Sequence, residues 1–189
     1  AERLQREPEN EAALQGFFEA TSRFYPPAAA PEELKRDRAA LPPVLKPKLR
    51  SYSFPIQRTL LTNRDFLPDD AATAMALEVL GERWAESICV GGKLRLGVDP
   101  RQWLSVRQAA FERILGLDPA SAKVLAAEMV EKGDATLTHP LVASLPFAVP
   151  VPPEMLSAAM AGDQSRYTCG FRLDASTIRQ LHIQAMPLD

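Results

Sequence analysis

The sequence is poor in cysteine, histidine, glycine and net charge, and each shortage closes off a class of protein. Only Cys89 and Cys169 occur in 189 residues. A secreted disulfide scaffold needs more, so two reduced thiols are the ordinary reading and a single bridge is the alternative. The two histidines, His139 and His182, bring the candidate zinc ligands to four. No two of these are spaced as a ligand pair, and the expectation is no metal. A net charge of −2 argues against a whole-protein basic footprint for nucleic acid or anionic membrane, leaving room only for a local patch. No apolar run is long enough to span a bilayer. The start, Ala1-Glu2-Arg3-Leu4-Gln5, has no signal-peptide apolar stretch and no methionine, which predicts a trimmed end and a cytoplasmic location.

What is present is the balance of an ordinary globular protein: 46% apolar and 24% charged residues. A chain of this length buries about 70% of the surface its unfolded form exposes, enough for a core without staples. One domain over 1–189 is expected. Proline is abundant, 17 against 9 glycines, and clusters between the periodic segments. That pattern predicts helices joined by stiff, extended connectors.

The clearest signals lie in residues 69–133, which read as three successive helices. The first follows Asp69-Asp70, either of which can cap it, and carries Leu77, Leu80, Trp84 and Ile88 on one face, with Gly91-Gly92 as its stop. The second opens at Asp99-Pro100, carries Trp103, Val106, Ala110 and Ile114, and ends at Gly116. The third opens at Asp118-Pro119, carries Ala122, Leu125, Ala126 and Met129, and ends at Gly133. An aspartate accepts the free first-turn amides, and proline at the first helical position gives up no intrahelical bond. Glycine permits the left-handed residue that closes a helix.

Residues 1–68 predict a helix capped by Asn10 with Leu14, Phe17, Phe18 and Thr21 on one face. A shorter helix should start at Pro31-Glu32. Ser51 to Phe54 reads as a short edge strand, and Gln57 to Phe66 as a turn or two of helix burying Leu60, Leu61 and Phe66. In 134–189, Ala135 to Thr138 reads as a short strand. Leu141 to Val151 is an apolar, proline-interrupted arm that packs either on its own domain or on a partner. A helix is expected over Glu154–Ala161 and a weak strand over Arg166–Leu173. A last helix, capped by Asp174, should carry Ile178, Leu181 and Ala185. The fold class is therefore mainly α: an irregular domain of about six to eight helices with little β.

No residue cluster announces a reaction. Cys89 could serve as a nucleophile with a histidine met in space, giving a small Cys/His enzyme, but beside Ile88 near a helix end an inert buried thiol is the commoner reading. Gly91-Gly92-Lys93 lacks the earlier glycine and following hydroxyl of a phosphate loop. Ser121 to Lys132 followed by Gly133-Asp134-Ala135-Thr136-Leu137 has the outline of the last part of a winged helix of a DNA-binding regulator. Its Glu128 and Glu131 oppose Lys123 and Lys132, where a major-groove helix should be basic.

Two stretches resemble the type III secretion accessory proteins of the OrgA/MxiK/YscK group. One is Arg23-Phe24-Tyr25-Pro26-Pro27-Ala28-Ala29 leading into Glu33-Leu34, similar to that family's aromatic-and-proline turn and leucine-bearing helix. The other is Leu80-Gly81, Ile88 and Trp103-Leu104 to Phe111-Glu112-Arg113-Ile114-Leu115, similar to its leucine-glycine helix and following amphipathic helix. The resemblance implies a cytoplasmic, non-catalytic adaptor joining the injectisome's sorting platform to the inner-membrane ring. It implies no catalytic residues, no cofactor, no nucleic acid and no membrane insertion, with membrane association only through a partner. Candidate partner-binding residues are the basic loop Lys46, Lys48 and Arg50 and the arginines Arg101, Arg107 and Arg113. The latter recur at six-residue steps and so form no single stripe; plain solvation is their bland reading.

Overall fold

The computed structural model describes residues 7, 10–22, 31, 32, 35, 36, 41, 45, 49–82, 97–162 and 172–187, and the backbone at 89, 90, 93 and 94. Among these residues there are eight α-helices: α1 (Glu11–Ser22), α2 (Phe54–Thr62), α3 (Asp69–Gly81), α4 (Pro100–Leu117), α5 (Pro119–Glu131), α6 (His139–Ala143), α7 (Pro153–Met160) and α8 (Ala175–Ala185). A single 3-10 turn spans Leu49–Ser51. The domain is mainly α, as the periodicity predicts. Among the described residues the one sheet pairs β1 (Cys89–Val90) with β2 (Lys93–Leu94), antiparallel, with Cys89 opposite Leu94.

α4 is the centre. It packs against α2, α3 and α5, and α1 joins through α2. Its apolar stripe is as expected: Trp103, Val106, Ala110 and Ile114 are all buried. Asp99 starts it by accepting the Arg101 amide at 2.9 Å. Asp118 both ends α4 and starts α5, accepting the amides of Ala120 and Ser121 at 3.1 and 3.2 Å. The Ser121 hydroxyl, 2.5 Å from the other oxygen, and these amides hold the Asp118 carboxyl below the usual range. α5 closes in a Schellman motif: the Asp134 amide reaches the Met129 carbonyl at 2.8 Å and that of Gly133 reaches Val130 at 2.9 Å. Gly133 takes φ +64° there.

Several expected boundaries move. α3 begins with Pro68 as its cap residue and no side-chain cap, so Asp69 and Asp70 sit in its first turn. It ends at Gly81, well before Gly91-Gly92, and Cys89 lies in a strand, not a helix. Trp84, Ile88, Gly91 and Gly92 lie outside the described residues. Its buried face is Ala72, Met75, Ala76 and Val79, whereas Leu77 is 47% exposed. Small residues let the two helix backbones come close, and Ala109 and Ala110 of α4 are equally buried. Gly116 is inside α4 rather than at its stop, and a Cβ there would overlap the Arg64 guanidinium.

Ser51–Phe54 is not an edge strand. Ser53 precedes α2, whose first turn holds Pro55, a placement proline favours in helices. The Ser53 amide donates to the Glu11 carboxylate at 2.9 Å, tying α2 to α1. Residues 135–138 are likewise not a strand, and the wing that a winged helix needs there is missing. The Asp134 side chain instead accepts the Thr136 amide at 2.8 Å in a tight turn. α1 matches its reading: Asn10 accepts the Ala13 amide at 2.9 Å, and Leu14, Phe18 and Thr21 are buried. Phe18 stacks on Phe66 with ring centroids 4.6 Å apart. The helix expected from Pro31 shows one turn, from the Lys35 amide to the Pro31 carbonyl at 3.0 Å; its continuation lies outside the described residues, as does most of the strand expected over Arg166–Leu173.

The proline-rich arm packs on its own domain. It opens with the short α6, which buries Leu141 and Val142, and then runs extended with Val149 at 0% exposure. α8 packs on both α6 and α7. Asp174 caps α8 at the Thr177 amide, 2.9 Å away. Burial pushes this carboxyl up, but bonds from the Ser176 hydroxyl and from Thr177 outweigh it and hold it low. Ile178 and Leu181 are buried as expected, whereas Ala185 is exposed.

Candidate functional site

The arginines of the expected partner-binding set separate sharply. Lys46 and Lys48 lie outside the described residues. Arg101 is exposed on the first turn of α4. Arg107 and Arg113, expected on the surface, are 2% and 3% exposed and belong to the core. A guanidinium sits there at a tolerable cost only when a carboxylate or carbonyls answer its charge, because an unpaired buried charge is costly.

Arg107 finds them at the end of α3. The last carbonyls of a helix have no intrahelical donor and carry the negative end of its dipole. Arg107 Nη1 donates to the carbonyls of Val79 at 2.7 Å and Glu82 at 2.8 Å, and more loosely to Leu80 at 3.3 Å. Its Nε donates to the Thr136 hydroxyl at 3.0 Å. Its Nη2 pairs with the Asp134 carboxylate, and its guanidinium lies 4.7 Å from the centre of the Trp103 ring one turn earlier. One side chain thus joins α4, the end of α3 and the turn after α5.

Arg50 enters the same junction from the other side. It pairs with the Glu82 carboxylate and donates to Gln57 Oε1. Gln57, 2% exposed, donates to the Tyr52 carbonyl at 2.6 Å and the Arg50 carbonyl at 3.1 Å. The Trp103 indole N–H also points at Glu82, at 3.4 Å. The structure therefore brings Arg50 and Arg107 together around Glu82, one on its carboxylate and one on its backbone.

Arg113 sits at the opposite end of α3. Its Nη2 donates to Asp69 at 3.0 Å and to the Leu67 carbonyl at 3.4 Å. Burial lowers its pKa and the Arg64 charge adds to that, against the raising fields of Asp69 and Asp65. With Arg107 at one end of α3 and Arg113 at the other, α3 and α4 run antiparallel.

Arg50, Arg107 and Arg113 are thus structural clamps, not free surface charge. Glu82, Asp134, Thr136 and Gln57 complete the junction, and no local motif marks them: they are 25 to 32 residues from the arginines they meet, apart from Gln57 beside Arg50. His139 is exposed at the first residue of α6 and His182 is half-buried on α8; Cys169 lies outside the described residues. Among the described residues no group of three or more His, Cys, Asp or Glu could hold a metal ion, and no helix is long and apolar enough to cross a membrane. The surface offers apolar groups instead. Leu77 of α3, Val124 of α5, Met160 of α7, Ile183 of α8 and Met186 just after it are 47% to 70% exposed. Compared with known protein families, curated proteins and solved structures, the chain matches none.

Proposed function

We propose that this chain is a non-catalytic adaptor of a bacterial type III secretion apparatus, linking the sorting platform to the cytosolic face of the inner-membrane ring. The resemblance of Leu80-Gly81 and Trp103 to Leu115 supplies the family. The observation that carries the binding role is the exposed apolar set of the C-terminal helix pair, Met160, Ile183 and Met186. Apolar side chains on a helical surface whose buried charges are committed to holding helices together suit docking through side-chain packing.

The test is co-expression with the platform and inner-ring proteins, followed by gel filtration. One stable co-eluting partner is expected, and Ile183→Glu with Met186→Glu should abolish co-elution while the circular dichroism spectrum is unchanged. Failure to co-elute with any of these proteins overturns the reading. Co-elution that survives the double substitution moves the contact to another face.

A further inference from the structure

We draw no further inference here: the strongest candidate, the Arg113 guanidinium buried at the start of α3, is already paired with Asp69, and its two unpartnered nitrogens reach no surface through which a ligand could approach.

Discussion

In the central layer Arg107 and Arg113 lie inside at 2% and 3% exposure, whereas in the C-terminal helix pair Met160, Ile183 and Met186 stand outside at 70%, 61% and 57%. Each region reverses the usual sorting of residues, for a different reason. Around α4 the buried charge is answered by carbonyls at a helix end and by carboxylates, so removing a partner leaves an uncompensated group. Around α7 and α8 the apolar groups are mostly open to solvent, so removing them should leave the fold alone. Internal charge here bears on stability, and the external apolar surface is what the proposed adaptor role would use for contact.

The largest expected effect comes from the centre. Arg107→Met leaves the Asp134 carboxylate and the α3 carbonyls without their donor and should cost about 3–5 kcal/mol, read from the urea midpoint. Arg107→Lys should recover only part of the loss, because a single ammonium cannot reach Val79, Thr136 and Asp134 at once. An unchanged midpoint for Arg107→Met would dissolve the contrast between the two regions.

Two glycines sharpen it at about 1 kcal/mol. Gly133 holds a positive φ, so Gly133→Ala should destabilise by about 1 kcal/mol. Gly116 is in helical conformation and only the mobile tip of Arg64 lies in the way. There Gly116→Ala should be neutral or stabilising, by up to about 1 kcal/mol. Thermal melts of the pair should shift in opposite directions, or Gly133 alone should shift.

Much of the centre was legible. The stripe of α4 and the aspartate-proline starts of α4 and α5 followed from spacing and capping chemistry. The arginine burial was misread, since Arg107 and Arg113 were expected on the surface, although their spacing contains it: a six-residue step turns a helix by about 240°. That puts Arg107 and Arg113 on the two flanks of the stripe centred on Ala110 and Arg101 on the opposite side. Their partners were not legible, since Asp134 and the Val79 carbonyl are distant along the chain and meet α4 only after folding. The face of α3 was misread because its segment is apolar nearly all round. Size favoured Leu77, which is exposed, and Leu80, which does pack on the edge of the core, while close helix packing favours Ala72 and Ala76. Gly91-Gly92 suggested a helix stop, although two residues between paired strands is also hairpin spacing. Of the candidate surface residues that are described, only Arg101 is exposed, because charge alone does not say which side of a helix meets solvent.

The outer region should respond far less to substitution. Met160→Glu, Ile183→Glu and Met186→Glu should each change stability by no more than about 0.5 kcal/mol; a chemical-denaturation loss several times larger would show that these side chains pack. The smallest effect is electrostatic. Hydrogen bonds from Ser121 and the first-turn amides lower the Asp118 carboxyl. The stabilisation it gives is complete above the ordinary carboxylate value of about 3.9 and is lost as pH falls through the lowered value. Asp118→Asn still caps but does not titrate. The melting-temperature gap between the natural chain and this variant should therefore narrow below about pH 4.

The arm around Val149 lies against apolar ground without helix or strand bonding, which ordinarily strands main-chain N–H groups away from water. Pro146, Pro150 and Pro152 carry no such hydrogen. Their contribution is subtraction: each removes one main-chain donor from an irregular ribbon, with Pro146 and Pro150 on its exposed side and Val149 turned inward, so fewer N–H groups along it need a partner.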